Sequence, residues 1–214
     1  ELSDVYVEDS HPGEYPLLTA KRVSFILNPM EVWKGNYTIR GLQISDSETN
    51  LRINKAGINN YTVIKKGDGS GTVSFDLQNV GLRNTLVTYI DQAADLHHEF
   101  SSSSLIATVT ANGNQYTINT RGDLTTEQIG IGTSVWFQKK TFDADVQLIY
   151  DDKNKVLDIK PSTLTLDGAD FEVSGSYRFK DKNLIDLQTK GKNANVQLLF
   201  TLLPESTVAH LKQY

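Results

Sequence analysis

Two carboxylates and two histidines are the residues of this chain best placed, by type and spacing, to do chemistry. Asp143 and Asp145 stand two apart, so on a β-strand their carboxyl groups project from one face, about 7 Å from each other. That separation suits a glycosidase pair, one group as acid and the other as base or nucleophile. The neighbours argue otherwise. Phe142, Ala144, Val146, Leu148 and Tyr150 fill the alternate positions, so Asp143, Asp145 and Gln147 mark the solvent side of a half-buried strand. His97 and His98 are adjacent, and on a strand adjacent side chains point to opposite faces, so the two cannot share a metal ion. No serine sits in a nucleophile elbow. The expectation is a non-enzyme with no catalytic residue, no metal site and no cofactor.

The remaining motifs also have plain readings. The segments Asp151–Lys155 and Asp181–Asn183 resemble calcium loops, but their lysines repel a cation and no bidentate Glu follows at the right offset. They read as hairpin turns. The stretch Gly67–Gly71 lacks the Lys-Ser/Thr of a phosphate loop and reads as a flexible loop. Asn36-Tyr-Thr38 and Asn60-Tyr-Thr62 match glycosylation acceptors at a near-chance frequency. Trp33 and Trp136 are candidate sugar-stacking platforms, which makes a carbohydrate-binding β-domain a minor alternative; Trp136 is expected on the outer face or at a rim.

Composition narrows the field. The 214 residues carry a net charge of −5 with no basic run, which argues against a nucleic-acid partner. There is no cysteine, which removes thiol chemistry and disulfide scaffolds. The chain starts at Glu1 and contains no apolar run long enough to span a bilayer; we read it as a fragment whose native start lies elsewhere.

The elements that would hold these residues are almost all strands. Lys21–Leu27 alternates and stops at Asn28-Pro29, where Pro29 can open a short helical turn. Tyr37–Ile44 shifts its apolar phase at Gly41, suggesting a bulge, and Leu51–Ile53 reads as a separate strand. Further short strands are expected at 73–77, 86–90, 96–100, 105–111, 116–118 and 129–137, with a hairpin at Asn112-Gly113. Others are expected at 141–150, 156–160, 164–166, 171–179 and 184–188. Val196–Leu203 has helical spacing, and after Pro204 a second short helix is expected with Ser206 as its cap. The fold class is mainly β: a large antiparallel, curved sheet, either a taco-like groove or a sandwich, with a few short helices near the ends. Three segments are expected: an N-terminal β region with a short helix over 1–66, a Gly-rich loop over 67–71, and an extended sheet with a helical C-terminal segment over 72–214.

Three stretches then resemble the N-terminal region of the AsmA family. They are Leu17–Asn28, the Gly-x-Tyr-x-Ile strand within Gly35–Ile44, and the Leu-x-Ile…Gly…Asn-Tyr segment of Leu51–Tyr61. The second half is similar as well, through Phe171–Tyr177, Leu184–Leu187 and the leucine-rich Leu198–Pro204. The likeness covers most of the chain and is weakest between Ile90 and Phe137. It implies a periplasmic protein of a Gram-negative cell envelope, anchored to the inner membrane by an N-terminal helix absent from this chain. It also implies a hydrophobic β-groove that guides phospholipid, supports outer-membrane biogenesis and engages outer-membrane assembly proteins.

The residues themselves pose a compatible question. With so few helices, the apolar side of the sheet can be covered only by a second sheet, by barrel closure or by a ligand. An acyl chain is one such ligand. Phe142, Val146, Leu148, Phe171, Val173 and Tyr177 are the residues expected to face it. The alternative is a structural or protein-interaction scaffold for outer-membrane protein assembly.

Overall fold

The computed structural model describes residues 1–10, 15–33, 37–60, 73–151, 153–178, 184–192 and 196–211. The loop 67–71, the turn 181–183 and the acceptor Asn36 fall outside them. Eleven strands form one sheet: β1 (Leu2–Val7), β2 (Leu18–Leu27), β3 (Tyr37–Ile53), β4 (Val73–Asp91), β5 (Leu96–Asn112), β6 (Gln115–Ile131), β7 (Ser134–Trp136), β8 (Lys140–Asp151), β9 (Val156–Leu166), β10 (Ala169–Arg178) and β11 (Leu184–Lys192). They lie side by side in chain order from β1 to β11, except that the short β7 pairs only with the end of β6. Three short helices accompany them: α1 (Pro29–Trp33), α2 (Val196–Phe200) and α3 (Glu205–Leu211). The sheet is curved and does not close on itself.

One pairing departs from the expected antiparallel order. Strands β3 and β4 run parallel, from Tyr37↔Val73 to Ile53↔Asp91, so residues 54–72 carry the chain back to the same end of the sheet. The first part of that return is ordered by Asn54, whose side-chain oxygen accepts from the N–H groups of Ala56 and Ile58.

Several expected strand breaks are bends within longer strands. Asp46 in β3 and Asn84 in β4 both have positive φ, at 51° and 48°, and Asn and Asp tolerate that region best among non-glycine residues. Each such residue shifts the alternation by one, so Leu42 and Ile44 share a face with Ser47, Thr49 and Leu51. The two lie side by side, joined by a 3.0 Å bond from Asn84 Nδ2 to Asp46 Oδ1. Asp4 of β1, at φ 51°, belongs to the same row across Lys21. On β5 the row continues through Ser103 and Ser104, whose N–H groups donate to Asp123 at 2.7 Å. In β9 the irregularity falls at Pro161, which cannot donate to a ladder; Ser162 Oγ instead accepts from the Gln147 N–H at 3.0 Å. This row of irregular residues interrupts the alternation of the long strands. It also explains why the sequence shows phase breaks where there are no turns.

The local signals agree with the structure elsewhere. Asn28 caps α1, its side chain accepting from the Met30 N–H at 3.0 Å, with Pro29 in the first helical position. The hairpin between β5 and β6 turns at Gly113 with φ 60°. At the C-terminus, however, Ser206 lies inside α3. The carbonyl that opens this helix belongs to Pro204, which accepts from Thr207 and Val208. Pro204 is already rigid and the chain turns at it, so the helix begins one residue before the expected cap could act.

Candidate functional site: the apolar face of the sheet

Cross-strand register sorts the side chains into two faces. On β8 the residues Phe142, Ala144, Val146, Leu148 and Tyr150 stand opposite Leu124, Gly122, Thr120, Ile118 and Tyr116 of β6. On the other side Ala144, Leu148 and Tyr150 meet Leu164, Ile159 and Leu157 of β9, and β10 adds Phe171, Val173 and Tyr177. All six residues singled out from the sequence therefore lie on one face. Following the register through the bulges, that face continues to Phe100, Leu105, Val87, Leu82, Leu51, Ile44, Leu42 and Phe25.

The six are not equally covered. Phe142 and Phe171 are 6% and 3% exposed and form a small core with Leu166 and Ala169. Leu198 and Leu202 of the C-terminal segment pack on that core, and the Phe137 N–H donates to the Leu202 carbonyl at 3.1 Å. Val146, Leu148, Val173 and Tyr177 are only half-buried. The same holds for most apolar residues on β2 to β6: among the described residues just eight hydrophobic side chains are buried. The total accessible surface is 14380 Å², against roughly 9,900 Å² for a compact monomer of this mass. The difference fits a single-layered sheet over most of whose apolar side no described residue forms a second layer.

That face is the concave one. Tyr177 on β10 and Asp91 on β4 both belong to it by register, but they lie five strands apart and towards opposite ends of the strands. Burial raises the Tyr177 phenol above its ordinary value, and the Asp91 carboxylate raises it further. Charges act weakly beyond about 8 to 10 Å in water, so the sheet curls far enough to bring the two within reach.

A polar stripe on this floor was not legible in the sequence. Ala20, Ser47, Thr85 and Ser102 are direct partners on four successive strands, all beside the bulge row and all buried. Ser47 Oγ donates to Thr85 Oγ1 at 3.1 Å, while the buried Ser102 Oγ has no partner. These small side chains separate two bulkier rows, Leu18–Thr49–Val87–Phe100 and Val23–Ile44–Leu82–Leu105. His98 faces the same side, its ring stacked 5.9 Å from Tyr89 and tilted against Phe100 at 6.3 Å. Burial lowers its pKa, outweighing a backbone hydrogen bond at His97 that acts to raise it.

The other face is polar and cross-linked. His97 points there, 2.9 Å from Glu99, so the two histidines diverge as expected of a strand. Asp143 and Asp145 are exposed, and Asp145 is bound to Arg121 at 2.5 Å; no cleft brings them face to face. Asp151 forms the expected turn, accepting from the Asn154 backbone and side chain at 3.0 and 2.7 Å. Asn60, within the second acceptor sequence, is fully buried. Its Nδ2 donates to Asp9 and to the Asn50 carbonyl, both at 2.9 Å, so the folded chain leaves no room for a glycan there. Trp33 is 88% exposed at the end of α1; Trp136, half-buried on β7, pairs with Ile129 and through it with His98, so it lies at the end of the apolar face and not on the outer one. No helix among the described residues is long and apolar enough to cross a membrane.

No family model matches the chain, and neither a curated protein nor a solved structure is similar to it.

Proposed function

We propose that the concave face binds and guides the acyl chains of phospholipid, without catalysis, and that the chain is part of an AsmA-like envelope protein working in the periplasm between the two membranes. One observation carries this reading: a wide, curved, half-exposed apolar face that, outside the part under Leu198 and Leu202, no described residue covers with a second layer. An acyl chain is a fitting occupant, because each methylene removed from water contributes about 0.8 kcal/mol and needs no directional partner. Contact with one side of a long chain supplies roughly 6 kcal/mol before the cost of ordering it.

The test is organic extraction of the protein purified from a Gram-negative host, followed by mass spectrometry. Co-purified phospholipid, displaced on adding a fluorescent fatty acid, is the expected outcome. Protein that carries no lipid and binds no fatty acid would leave the face to a polypeptide, which is the scaffold reading.

A further inference from the structure

Strand β11 forms one edge of the sheet, and all of its residues are exposed. One side pairs with β10 in unbroken register, from Asp170↔Lys192 to Arg178↔Leu184. No described strand lies on the other side, so a regular row of N–H and C=O groups is open. Natural sheets guard such edges with a bulge, a proline or a well-placed charge. The opposite edge is guarded: Asp4 interrupts β1 at φ 51°, and Glu1, Glu8 and Asp9 flank it. By contrast β11 has no proline and no positive-φ residue, and its Ile185 and Leu187 are 61% and 46% exposed.

The sequence of β11 is self-complementary when two copies are laid antiparallel about Gln188. Asp186 then faces Lys190 of the second copy, and the symmetry makes that ion pair twice. Ile185 meets Gly191, and Leu187 meets Thr189. Ile185 and Leu187 lie on the apolar face, through Tyr177↔Ile185 and Gly175↔Leu187, so the apolar surface would run on across the junction. A parallel match in register sets Lys190 on Lys190 and Asp186 on Asp186, which is repulsive. A match with β1 meets its bulge.

We infer that β11 pairs antiparallel with β11 of a second copy about a twofold axis through Gln188, joining two sheets edge to edge. The arrangement is isologous and closes at the dimer. It holds whether or not the concave face takes lipid.

The chain has no cysteine, so Gln188→Cys places one thiol on the proposed axis, opposite its own copy and within disulfide reach. Under mild oxidation this variant is expected to give a linked dimer in high yield, and Thr163→Cys, exposed in mid-sheet, is not. Light scattering of the unaltered chain should show a dimer that dissociates on dilution. Lys190→Asp is expected to raise the dissociation constant roughly tenfold or more, and adding Asp186→Lys should restore it. A chain that stays monomeric at every concentration overturns the inference. So does a Gln188→Cys variant that cross-links no faster than Thr163→Cys, or growth into filaments, which would be head-to-tail assembly.

Discussion

A carboxylate at Leu148 distinguishes an open groove from a packed core. Leu148 is half-exposed, with Ile118 and Ile159 as its partners across the strands. On an open face the new charge stays hydrated, and Leu148→Asp removes only part of one leucine's burial, about 1 kcal/mol. Inside a core the same carboxylate costs several kcal/mol or more. The effect on binding is the reverse. Two or three methylenes that would lie on Leu148 meet a hydrated charge instead, forfeiting about 2 kcal/mol at 0.8 kcal/mol each. With partial desolvation of the carboxylate added, the dissociation constant for an acyl ligand rises roughly 30-fold or more. Phe171, at 3% exposure beneath Leu198 and Leu202, is the comparator. Phe171→Ala is expected to cost about 3 to 5 kcal/mol, lowering Tm by roughly 10 °C, while leaving acyl affinity within a few-fold. The assay is a titration with a palmitate-length fluorescent probe, alongside thermal unfolding of each variant. If Leu148→Asp collapses the fold as Phe171→Ala does, the face is covered and the reasoning fails. It fails equally if a folded Leu148→Asp variant binds the probe as tightly as the unaltered chain.

Other perturbations follow from single contacts. Burial holds His98 below its ordinary value of 6.5, so the unfolded chain takes up that proton first as pH falls. The stability this residue contributes is therefore present above 6.5 and lost as pH drops below it. Scanning calorimetry should show Tm declining on mild acidification, with a flatter decline in His98→Phe; an unchanged slope would refute the assignment. Gly122 has φ 139°, and a Cβ there would lie 2.1 Å from the Ser104 carbonyl oxygen. Gly122→Ala should thus cost about 3 kcal/mol or more in urea unfolding, far beyond an ordinary strand substitution. Asn60→Ala removes the acceptor of the Arg52 N–H and the donor to Asp9 and Asn50. A loss of about 3 kcal/mol is expected, and a change below 1 kcal/mol in the same assay would contradict the buried network.

What was legible in the sequence was local. The alternation of β8 identified its apolar face because no bulge residue interrupts it between Phe142 and Tyr150, and Asn112-Gly113 and Asn28-Pro29 carry their own turn and cap geometry. The long strands were misread as pairs of short ones because a single left-handed residue reverses the alternation. Asp46 splits β3 in this way and Asn84 splits β4, while β5 breaks at the register shift over Ser101–Leu105. The usable signal was chemical: Asp, Asn or Ser stands at every one of these phase breaks without the Gly or Pro expected of a reversal. The apolar face of the site was legible on the same grounds. Its division into a part beneath α2 and the turn after it and an open part was not, since it depends on where Leu198 and Leu202 dock, a contact between residues some thirty to sixty positions apart. The parallel register of β3 and β4 leaves no mark in either strand.

That parallel seam sets the order in which the sheet can be assembled. Neighbours such as β4 and β5, or β5 and β6, meet across a turn of a few residues, so each can zip as soon as its turn forms. Along the seam, Tyr37 must find Val73 and Ile53 must find Asp91, and every contact requires closing a long loop first. Strands β1 to β3 and β4 to β11 are therefore two kinetic units, united only when that closure succeeds. Because closure entropy grows by only about 0.6 kcal/mol per doubling of length, residues added between Ile53 and Val73 should slow that union modestly and leave the finished sheet intact.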